Sequence, residues 1–247
     1  MKDFLLLPKG FLKRAAAKGA ALLYPSRCPV CDRPAPFGKD ICPSCQGAFV
    51  KIRGPVCFKC GKHLQDQTKE YCNDCQKTQH LFERGLALYE YNSVSRAMYG
   101  YKFSGRAEYG QYFGRQMAIH FAGYLKKWQI QAIVPVPLHK KKLKVRGYNQ
   151  AYLLAKSLSD YTGIPIYDKL IIRQRNTKPM KELDPKSRQI NLKNAFIMGR
   201  YDVKLQKVVI VDDIYTTGAT IDAMSKVLKD AGADRIYFLT LSIGRGL

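Results

Sequence analysis

Cysteine is missing from the chain after residue 75, tryptophan occurs once, and acids are scarce, with 19 Asp and Glu against 42 Lys and Arg over 247 residues. No uninterrupted apolar run is long enough to cross a bilayer as a helix. In residues 1–24, Lys9, Lys13, Arg14 and Lys18 cut every stretch that would serve as a signal-peptide core. Neither a Walker loop nor a Gly-x-Gly-x-x-Gly fingerprint is present, which sets aside the common nucleotide-binding loops. Internal repeats and low-complexity tracts are absent as well. The shortage of acids leaves a net charge of +23. Such a surface attracts polyanions, by counterion release for nucleic acid and by direct attraction for phosphorylated metabolites or anionic lipid.

All eight cysteines fall between Cys28 and Cys75, as the Cys-x-x-Cys pairs Cys28/Cys31, Cys42/Cys45, Cys57/Cys60 and Cys72/Cys75. A two-residue spacing puts both thiolates of a knuckle on one tetrahedral metal. Two structural zinc sites built like zinc ribbons are therefore expected. Sequential pairing, first with second and third with fourth, closes the shorter loops and costs less chain entropy than an interleaved cross-brace. Two such centres would lower the effective charge to about +19. The segment has many prolines and little apolar periodicity, so metal rather than a core must hold it. His63 and His80 are expected to be exposed or to sit behind the ligands.

Three parts follow from these shifts of composition: a basic amphipathic helix over 1–24, a zinc-ribbon module over 25–80 and an α/β domain over 81–247. The first either packs on the module or lies on a membrane surface. In the third, 85–91 (GLALYEY) alternates as a strand does, and 93–103 and 109–127 are helical in pattern. Residues 131–137 (QAIVPVP) are a strand that must leave the sheet at its prolines. The acid-free segment 138–150 carries Lys140, Lys141, Lys142, Lys144 and Arg146 and is expected as a loop, at a strand end where open sheets bind ligands. A helix over 147–160 follows. Residues 173–196 are densely charged, with two prolines and few apolar residues, which suits a flap with Arg173, Arg175, Lys178 and Arg188 as anion contacts.

The centre of the chain is 207–221 (KVVIVDDIYTTGATI). Val208–Val211 predict a strand buried on both faces, as in a parallel sheet covered by helices. Asp212 and Asp213 come next and reach one ligand together only if the strand ends there. Thr216, Thr217, Gly218, Ala219 and Thr220 then offer backbone N–H groups and hydroxyls at a helix N-terminus, an arrangement that suits phosphate. Carboxylates beside a phosphate repel it unless they accept O–H bonds from a neighbouring diol. A sugar phosphate with vicinal hydroxyls satisfies both.

VVIVDDIYTTGAT resembles the binding motif for 5-phosphoribosyl 1-pyrophosphate (PRPP) of type I phosphoribosyltransferases. Together with the cysteine module, VPVPLH, RGYNQA and RQINLKNAF, it resembles the ComF family of competence proteins over nearly the whole chain. The resemblance implies a parallel sheet flanked by helices with a small hood, and Asp212 and Asp213 on the ribose hydroxyls. It implies Thr216–Thr220 around the 5-phosphate, with Val136, Pro137, Leu138 and His139 at the pyrophosphate and Arg146, Asn149 and Gln150 close behind. Arg175 and Arg188 would belong to the flap, and Lys102 is a further candidate for the site. Met180 departs from the family pattern, which favours Gln there. Mg2+ would accompany PRPP. Single-stranded DNA and a competence helicase or other DNA-uptake proteins are the partners implied, in the cytoplasm or at the membrane through those partners. The resemblance leaves two roles open: a Mg2+-dependent transferase of unidentified acceptor, or a non-catalytic nucleic-acid-binding factor that keeps the PRPP fold as sensor or scaffold.

Overall fold

The computed structural model describes residues 26–174, 195–199 and 205–244. The expected helix over 1–24 and the flap residues Arg175, Lys178, Met180 and Arg188 lie outside them. Among the described residues no helix is long and apolar enough to cross a membrane.

The cysteine module comes first, with a short helix α1 (Asn73–Lys77) in its second half. Its eight thiols gather as Cys28, Cys31, Cys42, Cys45 and as Cys57, Cys60, Cys72, Cys75, all sulfurs of a group lying within 4.8 Å of one another. Sequential pairing is therefore the arrangement adopted. A zinc–sulfur bond of about 2.3 Å sets the edge of a thiolate tetrahedron at about 3.8 Å. The Cys31–Cys42 and Cys60–Cys72 sulfurs stand 3.8 and 3.7 Å apart, so both groups fit the ion.

The larger part runs β1 (Arg84–Glu90), α2 (Tyr91–Phe103), α3 (Tyr109–Lys127), β2 (Ala132–Pro135), α4 (Lys140–Arg146), α5 (Gln150–Thr162), β3 (Ile171–Arg173), β4 (Phe196–Met198), β5 (Lys207–Tyr215), α6 (Ala219–Asp230) and β6 (Arg235–Ile243). Four strands form one sheet in the order β1-β6-β5-β2, every pair parallel. Every carboxyl end therefore lies on one edge. β3 and β4 make a separate antiparallel pair, which ties together the two ends of the segment expected as a flap.

Val208–Val211 are fully buried, as their apolar run predicts. One face of the sheet, with Val209, Val211, Leu239 and Leu241, packs on Val94, Met98, Phe113, Met117, Phe121 and Leu154 of α2, α3 and α5. The opposite face, with Val208, Ile210, Ile236 and Phe238, meets Ile221, Met224 and Leu228 of α6. Cys57, Cys60, Cys72 and Phe82 share that second core. The second ribbon thus covers sheet surface that α6 leaves open. The Val50–Ile52 linker between the ribbons runs along β1, with Ile52 N–H donating to the Leu88 carbonyl and Glu90 N–H to the Val50 carbonyl, both at 3.0 Å.

Two elements differ from expectation. β5 does not end at Val211 but stays in register with β6 to Tyr215, because Ile214 and Tyr215 have apolar surroundings of their own. Lys140–Arg146 is helical instead of a loop. The His139 side chain accepts from Lys141 N–H at 3.3 Å to cap its start, and Gly147, at φ +81°, closes its end in the left-handed conformation that glycine adopts without penalty.

Elemental analysis of the purified protein is expected to give two zinc ions per chain. Cys57→Ser should lower the melting temperature of the whole protein, because that sulfur belongs to the sheet's core. Cys42→Ser, at a half-exposed position of the first site, should cost clearly less. Equal losses in thermal scans would contradict the packing described.

Candidate functional site

The carboxyl edge of the sheet brings three of the expected groups together: the end of β5, the turn into α6 and the turn after β2. Asp213 is 7% exposed and its Oδ1 accepts from Lys102 Nζ at 2.8 Å, so Lys102 does reach this site, from the last turn of α2. Asp212 is half-buried; its Oδ1 accepts the Asp213 N–H at 2.8 Å. Burial first, and then the neighbouring Asp213 charge, push the Asp212 carboxyl up to about 7, with Lys102 and Arg173 opposing. Arg173 ends β3, on the base of the expected flap, and lies over the Phe196 ring at 5.3 Å from its centroid.

The turn Thr216–Gly218 leads straight into α6 with no side-chain cap at its N-terminus. The first N–H groups of a helix have no partner within it, so those of Ala219 and Thr220 are directed at the turn. Gly218 has φ +82°, and it has no room: a Cβ would stand 2.7 Å from Tyr215 Oη and 2.8 Å from His80 Cε1. Asp212, Thr216, Thr217, Gly218, Ala219 and Thr220 line one small indentation of about 20 Å³.

After β2, Val136 and Pro137 are buried and Leu138 and His139 half-buried. Asn149 caps α5 by accepting the Ala151 N–H at 3.1 Å, and its Nδ2 donates to the Val136 carbonyl at 3.0 Å, so it fixes the turn. Gln150 is 1% exposed and wholly engaged: its Oε1 accepts from Arg146 Nη1 at 2.6 Å and its Nε2 donates to the Tyr101 carbonyl at 3.3 Å. It therefore acts on Arg146 from behind. The Arg146 guanidinium is lowered from its usual value by burial, an effect Asp213 opposes.

His80 is the residue whose place the sequence does not reveal. Its side chain is 1% exposed; Nδ1–H donates to Asp222 Oδ2 at 2.7 Å and the Leu81 N–H donates to Asp222 Oδ1 at 2.8 Å. The ring stacks on Phe82 at 4.7 Å, and Phe82 meets Phe238 and Tyr215 edge-on. Asp222 lies in the first turn of α6, so the end of the cysteine module grips the helix that follows the Thr216–Gly218 turn. A sequence separation of 142 residues hides the pair. An acid one turn into a helix is the single local cue.

A larger cavity of about 640 Å³ opens beside the turn, over the ends of β1 and β6. Tyr91, Asn92 and Ile243 of the sheet domain face Leu64, Tyr71 and Asn73 of the second ribbon across it. Gly244 also lines it and donates its N–H to the Tyr215 carbonyl at 3.0 Å.

With this geometry in place, comparison with known proteins gives two domain matches. Residues 20–76 match the model of a double zinc ribbon domain, and residues 145–244 match that of a phosphoribosyl transferase domain. Competence protein F of Haemophilus influenzae is 30% identical over 199 residues, covering 78% of this chain and 86% of that protein. Competence protein ComFC of Bacillus subtilis is 28% identical over 202 residues, covering 78% and 80%. DNA utilization protein YhgH of Shigella flexneri is 28% identical over 222 residues, covering 86% and 94%. A purine phosphoribosyltransferase structure from Pyrococcus horikoshii aligns with a TM-score of 0.35 at 23% identity, over 53% of this chain and 73% of that one, too loosely to bear on the argument.

Two expectations follow from the site. The unfolded Asp212 ionises near 3.8 while the folded one holds its proton to about 7, so its contribution to stability is present below 3.8 and lost as pH rises to 7. Asp212→Asn should therefore raise the melting temperature at pH 8 and leave it nearly unchanged at pH 4; a uniform shift would contradict the burial of this carboxyl. Gly218→Ala should destabilise by about 1–2 kcal/mol from its backbone alone, with a further loss from the crowding against Tyr215 and His80, as measured by denaturant unfolding.

Proposed function

The chain belongs to the family of Competence protein F, and on that premise we propose that it binds PRPP with Mg2+ at the carboxyl edge of its sheet and acts in DNA uptake. One observation carries the ligand: the carboxylates of β5, the uncapped turn into α6 and the basic helix α4 stand on a single edge, in the order that a diol, a monophosphate and a pyrophosphate would need. Thr216–Thr220 would take the 5-phosphate on N–H and hydroxyl donors. Asp212, beside the turn, would accept from the ribose hydroxyls; with β5 continuing to Tyr215, Asp213 lies on the other face of the strand and would act through Lys102. The turn Val136–His139, fixed by Asn149, and Arg146, held by Gln150, would receive the pyrophosphate, and Arg175 and Arg188 are further candidates for the same anion. Mg2+ would enter on the pyrophosphate and screen its charge.

The same edge orders a transfer reaction, should an acceptor bind. With the leaving group at β2, an in-line acceptor must come from the side of β6 and β1, which is where the 640 Å³ cavity opens against the second ribbon. Its lining combines Tyr71 and Tyr91 with Asn73, Asn92 and the charged Lys62, Lys69, Asp74 and Glu90, which suits a polar, hydrogen-bonding acceptor. In this arrangement the protein orients both partners and excludes water from the forming cation.

Titration calorimetry with PRPP and Mg2+ is expected to show saturable binding to the wild type, lost by at least tenfold in Asp212→Ala/Asp213→Ala. Equal heats from both proteins, or none from either, would remove the assignment. Because an ionised Asp212 is the better acceptor, affinity should also rise as pH passes through about 7.

A further inference from the structure

Tyr99 and Phe103 stand one turn apart on the solvent side of α2, 62% and 60% exposed, with ring centroids 5.2 Å apart. Single exposed aromatics are ordinary and need no account. These two form a pair, and Arg146, the last residue of α4, holds its guanidinium 5.5 Å from the Phe103 ring centroid. Arg96, one turn before Tyr99, is exposed on the same helix face. α4 adds Lys140, Lys141 and Lys144, all exposed, none of them in an ion pair among the described residues. The nearest acids are largely neutralised, Asp213 by Lys102 at 2.8 Å and Asp32 by Arg106 at 2.9 Å, which leaves Glu108 beside Tyr148.

We propose that this face of α2 and α4 is the track for single-stranded DNA, with successive bases stacked on Tyr99 and Phe103 and phosphates carried by Arg96, Lys140, Lys141 and Lys144. The partner follows from the combination. A duplex hides the faces of its bases, so two bare rings gain nothing from it, whereas a single strand offers a base to each. The acid-free helix supplies the charge that a strand's phosphates require. A sugar phosphate has no use for two stacked platforms. The inference rests on the DNA-uptake role proposed above and adds to it the residues that make contact. Lys102, the residue before Phe103, turns to Asp213, so the track passes along the rim of the PRPP site and shares with it the charge of α4.

The test is fluorescence anisotropy of a labelled oligothymidylate at several salt concentrations, on the full chain with its zinc. Tyr99→Ala/Phe103→Ala, at two well-exposed positions, should weaken binding by about tenfold or more with the salt dependence kept. Lys140→Ala/Lys141→Ala/Lys144→Ala should flatten the slope of log K against log salt by about 2. Tyr99→Ala, at a residue that touches none of the groups assigned to that ligand, should retain the wild-type heat with PRPP and Mg2+. Phe103→Trp should have its fluorescence quenched by the oligonucleotide. Should the wild type bind while the aromatic variant binds equally well and Phe103→Trp stays unquenched, the track is wrong and the uptake role stands. A loss in the lysine variant alone reduces the face to a charged patch and likewise overturns the stacking. A wild type that binds no single strand removes the DNA reading itself.

Discussion

A parallel sheet presents two apolar faces, and both must be covered by something other than water. Here helices α2, α3 and α5 cover one face in the usual manner. On the other, α6 shares the layer with Ile171 and Phe196 of β3 and β4 and with Cys57, Cys60, Cys72 and Phe82. The second ribbon therefore covers sheet surface that a helix would otherwise have to cover. A metal-clipped loop can do this because its shape is fixed by thiolate geometry, not by a core of its own. The first ribbon has a looser attachment, through Asp32 to Tyr109 and Arg106 and through Asp40 to Arg115.

That arrangement places the metal-bound module directly beneath the anion-shaped turn. His80 and Leu81 both bind Asp222, Tyr215 packs flat on Phe238 at 4.7 Å, and Gly218 lies against the two rings of Tyr215 and His80. The turn has little freedom to move without its supports. The carboxylates show the opposite character. Asp213 already has a cation in Lys102, and Asp212 keeps a proton that neither Lys102 nor Arg173 strips away at acid pH. A rigid turn at a helix N-terminus is thus set beside an acidic pair whose charge depends on its surroundings.

Much of this was legible because the signals were local. Thiolate spacing defined both metal groups, the β-branched run defined a strand buried on both faces, and the small hydroxylated residues after it marked the turn. What was not legible depended on distant partners. β5 continues to Tyr215 because β6 remains alongside it and Ile214 and Tyr215 find apolar surroundings, and no property of Asp212 or Asp213 predicts that. The acid-free run at Lys140–Arg146 folds as a helix because His139 and Gly147 cap it, whereas its charge density suggests a solvated loop. His80 looked like a bystander of the cysteines. Its role is created by a helix that begins far along the chain.

The linker Val50–Ile52 has one more consequence. By pairing antiparallel with β1 it occupies the outer border of the sheet, and Ile166 makes a parallel bridge to Ile133 of β2 at the opposite border. Unpaired borders are templates on which a second chain can add as a strand. The piece that shields β1 is held at both of its ends by cysteine knuckles. The cover over this border of the sheet therefore depends on the two thiolate groups that flank it.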